Sequence, residues 1–170
     1  MLFSDLEAEV ERLAERAANL LELQRAVVGL IARNLSRYNW VGFYMLDPEE
    51  ASTLALGPFH GQATDHVRIP VTEGICGAAV ARGETVVVDD VSADPRYLAC
   101  SLDTRSEIVA PIWVRGRVAG EIDVDSHTAA AFGPADREFL ERCAAIVGRY
   151  MERSEAATGR GSDGRPAFVT

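Results

Sequence analysis

A chain of 170 residues, 48% hydrophobic and 25% charged, has the composition of an ordinary globular domain, with room for one core and little for two. Its formal net charge of −9 leaves no basic face for phosphates. That excludes nucleic acid and anionic membrane as partners while permitting a cationic or zwitterionic small ligand.

The N-terminus is acidic and lacks the basic-then-apolar order of a secretory signal, and no apolar run approaches the length of a bilayer span. The cysteines, Cys76, Cys100 and Cys143, are sparse and odd in number. Such a set reads as reduced thiols, so a cytoplasmic location is expected, with any thiol chemistry transient.

Residues 4–37 carry apolar side chains at spacings of three and four (Leu6, Val10, Leu13, Ala17, Leu20, Leu21, then Leu23, Val27, Leu30, Ile31), which predicts one long helix or two in tandem. Ser4 and Glu7 fit a capping box at its start. The apolar stripe serves either packing on its own sheet or a homodimer. At Trp40 the period changes. Trp40-Val-Gly-Phe-Tyr-Met-Leu46 and Ser52-Thr-Leu-Ala-Leu56 read as strands, with a loop from Gly57-Pro58 to a short strand at His66-Val-Arg-Ile69. A compact helix is predicted from Ile75 to Ala81, closed by Arg82-Gly83, and a strand from Thr85 to Asp89. A polar loop over 90–106 carries Pro95 and Cys100. Strands from Ile108 to Val114 and from Arg117 to Val124 follow, joined by a tight Arg115-Gly116 turn. A last amphipathic helix runs from Pro134 to Met151. The Gly-rich stretch from Ala156 reads as a disordered tail, which sets the domain at residues 1–155. The layout is α+β, a central, mostly antiparallel sheet of about six strands between N- and C-terminal helices.

Several residues invite chemistry. Cys76, in Gly74-Ile-Cys-Gly77, opens a helix whose N-terminal dipole would lower a thiol pKa, although a small apolar core residue is the ordinary reading. Cys100 lies in a polar loop where no buried hydrophobe is needed, which favours function. Cys143 sits on an apolar helix face and reads as core. Glu121, Asp123 and Asp125 alternate along one strand and share a face; Glu107 opens the strand before it. Such a face is usually solvated, but carboxylates in line also hold an ammonium group or raise one another's pKa into the range of a proton donor. Trp40 offers either core packing or an aromatic wall for a thioether. None of the His, Cys or acidic residues has the paired spacing of structural zinc, so no metal and no other cofactor is expected.

Asn39-Trp-Val-Gly-Phe-Tyr44, Leu56-Gly-Pro-Phe59, Val67-Arg-Ile-Pro70, Gly74-Ile-Cys-Gly77, Ala99-Cys100, Ser106-Glu-Ile-Val109 and Ile122-Asp-Val-Asp-Ser126 follow one another in this order. This ordered set, over roughly residues 36–150, resembles the free methionine-(R)-sulfoxide reductases, as does the separation between Cys76 and Cys100. The resemblance implies a GAF fold. It also implies that Cys100 is the nucleophile that becomes a sulfenic acid, with Cys76 a second catalytic candidate. Glu107 and Asp125 would bind free methionine sulfoxide and help protonate its oxygen, Asp123 would hold its amino group, and Trp40 would receive its methyl end. Recycling would proceed through an intramolecular disulfide reduced by thioredoxin or another thiol. Where many members carry a resolving cysteine just before Val-Arg-Ile-Pro, this chain has His66, which turns attention to Cys76 as the resolving thiol. The alternative is a non-catalytic GAF domain that binds a small ligand or senses redox state, since the scaffold alone does not dictate function.

Overall fold

The change of apolar period at Trp40 marks the passage from helix to sheet. A computed structural model describes residues 2–98 and 101–158. Helices α1 (Phe3–Arg16) and α2 (Leu20–Asn34) come first, followed by strands β1 (Trp40–Leu46), β2 (Thr53–His60) and β3 (Arg68–Pro70). Helix α3 (Gly74–Arg82), strand β4 (Val86–Val88), a 3-10 turn at Val91–Ala93, strands β5 (Ser106–Val114) and β6 (Arg117–Ser126), and helix α4 (Pro134–Ala157) complete the order. The strands form one six-stranded sheet in the order β3-β2-β1-β6-β5-β4. Every neighbouring pair is antiparallel. This is the α+β layout, and the fold class, expected from the sequence.

The strands' two-residue period sorts side chains between two cores. Val41 and Phe43 of β1, Ile108 and Ile112 of β5, and Ile122 and Val124 of β6 face α2 and α4, where they meet Val27, Ile31, Phe139 and Val147. The opposite face carries Tyr44, Leu54, Ile69, Val86, Val88 and Val109 under α3, which contributes Ile75, Cys76 and Ala79.

The N-terminal helical region is two helices, not one. Asn19 stops the run by accepting a hydrogen bond from the Glu22 amide at 2.9 Å, an N-cap that restarts the helix as α2. At the front of α1 the capping carboxylate is Asp5, which accepts from the Leu2 amide at 3.0 Å, in place of the expected Ser4–Glu7 pair. Leu6, Val10 and Ala14 are buried within the chain; of the stripe, the α2 part packs on β1 and β2, whereas α1 packs chiefly on α4 and α2. Leu21, read as part of the stripe, is exposed.

Strand β2 continues through Gly57-Pro58, where a loop was predicted. Gly42 pairs with Phe59 and Tyr44 with Leu56, so Gly57 and Pro58 oppose the single residue Phe43. At such a bulge the amide that proline lacks is not needed. The Arg115-Gly116 turn has both residues at positive φ (49° and 76°), the two-residue hairpin geometry that matches strand twist. Helix α4 runs to Ala157, past the predicted end at Met151 and the boundary at 155; the predicted tail from residue 159 onward lies outside the described residues. Among the described residues no helix is long and apolar enough to cross a membrane.

Candidate functional site

Strand register assembles the acids. Glu107 of β5 lies opposite Asp125 of β6, while β1 sets Trp40 opposite Asp125, Gly42 opposite Asp123 and Tyr44 opposite Glu121. Because β1 and β6 are adjacent, their alternating residues share one face, and that face is the one covered by α3. The expectation of a solvated acidic face therefore fails. Glu107, Glu121, Asp123 and Asp125 are 4%, 0%, 2% and 2% exposed.

Helix α3 delivers Cys76 to this cluster. Its Sγ lies 3.6 Å from Asp123 Oδ2, and the residue is buried. On the other side, the Trp40 indole donates to the Gln62 carbonyl at 3.1 Å and stacks on Phe59 with centroids 5.5 Å apart. Gly42 makes room for that ring. A Cβ there would stand 2.5 Å from Trp40 Cη2 and 2.8 Å from Phe59 Cβ. The Tyr44 hydroxyl donates to the His66 carbonyl at 2.7 Å, so the segment bearing His66 is tied to the same face.

Cys100 lies outside the described residues. The described residues beside it are anchored near the cluster. Leu98 packs against Gly74 at the start of α3, and Ser101 Oγ meets Gln62 Oε1 at 3.3 Å, next to the carbonyl that holds Trp40. Cys143 is buried in the opposite core, as its helix face predicted. The structure thus brings Cys76, Glu107, Asp123, Asp125 and Trp40 together and leaves Cys143 apart. A groove of 630 Å³ between Trp113 and the α4 side chains Arg137, Glu141 and Arg149 contains none of the predicted residues.

The GAF domain profile matches residues 5–151. The free methionine-R-sulfoxide reductase of Escherichia coli (strain K12) is 34% identical over 153 residues, which cover 90% of each chain. This chain belongs to the free methionine-R-sulfoxide reductase family. Among solved structures, the free methionine-R-sulfoxide reductase from Neisseria meningitidis in complex with its substrate has a TM-score of 0.86 at 34% identity over 91% of both chains. The fRMsr of Staphylococcus aureus in complex with substrate has a TM-score of 0.80 at 33% identity, over 88% of this chain and 95% of that one.

Within this family's GAF scaffold, the acids of the chain hold their protons unusually well. Burial pushes Glu121 up to about 8 and Asp125 up to about 7, the latter partly offset by a hydrogen bond with Thr104. Glu107 and Asp123 are raised well above the carboxylate range, first by burial and then by the neighbouring acids. The Cys76 thiol is likewise raised, by burial first and then by Asp123, Glu121 and Glu107. The lowering expected from the helix N-terminus is overturned, because a nine-residue helix dipole does not outweigh desolvation beside three acids. Asp123 Oδ1, Asp125 Oδ1 and, beyond the adjacent Cys76 thiol, both Glu121 oxygens have no hydrogen-bond partner among the described residues. Buried polar oxygens without partners are costly to the free protein.

Cys76, Glu107 and Asp123 each offer a ligand atom, all within 4.8 Å of one another. Spacing along the chain did not reveal this set, because it comes from α3, β5 and β6. The sequence put Glu121 on the shared acidic face without a role of its own and assigned Tyr44 no place at the site. The signal was present, since Glu121 shares the Asp123 face and Tyr44 the Trp40 face at the strand period.

Proposed function

We propose that the chain reduces the (R) epimer of free L-methionine sulfoxide to methionine, with Cys100 as nucleophile. The observation that carries this reading is the buried, proton-holding acid cluster beside Trp40 and Cys76, in a chain of this family. The substrate's ammonium group supplies the donors that Asp123 and its neighbours lack, which favours a free amino acid over a residue within a polypeptide. Its methyl end rests on Trp40.

The Cys100 thiolate attacks the sulfoxide sulfur while Glu107 and Asp125 supply a proton to the oxygen, a poor leaving group until protonated. The S–O bond of the substrate breaks, the oxygen passes to Cys100 as a sulfenic acid, and methionine departs reduced by two electrons. The Cys76 thiol then attacks the sulfenic sulfur. Water leaves, a Cys76–Cys100 disulfide forms, and thioredoxin or another dithiol returns both thiols. The proton that the Cys76 thiol gives up leaves with the sulfenic oxygen in that water, and Asp123, 3.6 Å from the Cys76 sulfur, holds the thiol in place. Cys76 takes this part because His66 occupies the position of the usual resolving cysteine.

The test is thioredoxin-coupled turnover of the (R) and (S) epimers, with Cys100→Ser as control and peptide mapping after a single turnover. Expected are turnover of the (R) form alone, its loss in Cys100→Ser, and a Cys76–Cys100 bond. A chain that forms no methionine even stoichiometrically, without reductant, is a ligand-binding GAF domain and not a reductase.

A further inference from the structure

We propose that the buried cluster also takes a soft divalent cation of the zinc type, held by Cys76 Sγ, one Glu107 oxygen and one Asp123 oxygen, and that the bound ion closes the site to the amino-acid substrate. The second half of this proposal rests on the reductase reading; the cation site does not.

A tetrahedral zinc ion with Zn–S about 2.3 Å and Zn–O about 2.0 Å sets its sulfur and oxygen ligands roughly 3.5 Å apart. Cys76 Sγ and Asp123 Oδ2 are 3.6 Å apart, and the Glu107 ligand atom lies within 4.8 Å of both. The three side chains stand on α3, β5 and β6, so the donors are held by packed elements and little motion is needed to close on an ion.

Donor chemistry selects the class of ion. One thiol with carboxylates suits a borderline-soft metal, whereas magnesium and calcium take oxygen alone. Three protein ligands also leave a tetrahedral ion one open position.

A second observation points to a positive ligand independently of the cluster's composition. Asp123 Oδ1 and Asp125 Oδ1 are buried with no hydrogen-bond partner among the described residues, where the fully buried Glu121 meets no hydrogen-bonding group but the Cys76 thiol. None of the four acids takes part in a salt bridge among the described residues. A substrate ammonium and a cation, each displacing the acids' protons, would answer to the same unpartnered oxygens. They would therefore exclude one another.

The experiment titrates the reduced, chelator-treated full chain with Co²⁺ alone and reads the sulfur-to-cobalt charge-transfer absorption, then displaces the cobalt with Zn²⁺. One cobalt per chain is expected, with the charge-transfer band abolished in Cys76→Ser and kept in Cys143→Ala. Asp123→Asn should weaken binding about ten-fold or more. In parallel, Zn²⁺ should inhibit (R)-sulfoxide reduction, relieved by raising the sulfoxide concentration. Absence of the band from wild-type protein that turns over sulfoxide overturns the cation site and leaves the reductase standing. Loss of the band in Cys100→Ser together with its retention in Cys76→Ser overturns the ligand set. A band on protein without reductase activity supports the cation site while the catalytic reading fails, and turnover unaffected by saturating Zn²⁺ overturns the closing of the site.

Discussion

At the scale of single residues, what sets this site apart is that burial raises its carboxyls above the range in which carboxyls ordinarily titrate. Asp125, at about 7, is the acid whose proton is lost first within the working range. If it helps protonate the sulfoxide, kcat/KM should fall as pH rises through about 7, because the competent form is the protonated one. Asp125→Asn should lose that limb and reduce the rate by about 10²–10⁴-fold, measured as a pH profile on the (R) sulfoxide. Gly42 is the other telling residue. The Cβ of Gly42→Ala would displace Trp40, so KM should rise more than kcat falls, and overpacking should cost about 1–3 kcal/mol in a denaturant titration. The sequence placed Trp40 on the right strand, but only the close packing of Trp40 and Phe59 over Gly42 revealed that Gly42 is the floor beneath its ring.

At the scale of elements, the two faces of one sheet have separate duties. Strand β5 turns Ile108, Ala110 and Ile112 toward α4 and Glu107 and Val109 toward α3. Helix α4 approaches β5 so closely that a Cβ at Gly148 would collide with the Trp113 carbonyl oxygen. Gly148→Ala should therefore destabilise the chain by about 3 kcal/mol, read as a lower urea midpoint at unchanged slope. The (R)-sulfoxide KM should hold wherever the variant remains folded, because the acids lie on the opposite face. Element identities were legible because the apolar period switches at Trp40 and again at Pro134. The break at Asn19 and the strand through Pro58 were not, since a cap inside an apolar stripe and a bulge opposite Phe43 are decided by what packs alongside.

At the scale of the whole molecule, the acid cluster ties stability to pH. Glu121 has its pKa raised from 4.5 to about 8, so between those values the folded chain holds a proton that the unfolded chain has released. Its contribution is intact below about 4.5 and is lost as pH rises through about 8. The melting temperature of the ligand-free protein should accordingly fall from about pH 5 to about pH 8. Glu121→Gln should flatten that fall, with a gain at the alkaline end of at most about 5 kcal/mol and none below the unfolded pKa. Thermal melts of both proteins across the range check this.

The order of elements, the shared face of Glu121, Asp123 and Asp125, and the motifs of the reductase family were readable from the chain alone, because periodicity and spacing are properties of the chain. Alternation along a strand says which side chains share a face; it does not say what covers that face. Only the folded sheet, with α3 laid over β5 and β6, decided that the acids are buried and mutually raised. The same cover raises the Cys76 thiol where its helix position alone would lower it. It also brings a thiol and two carboxyls from three elements within ligand distance. The physical reason is that desolvation and through-space charge depend on neighbours distant in sequence, and these outweigh the local helix dipole.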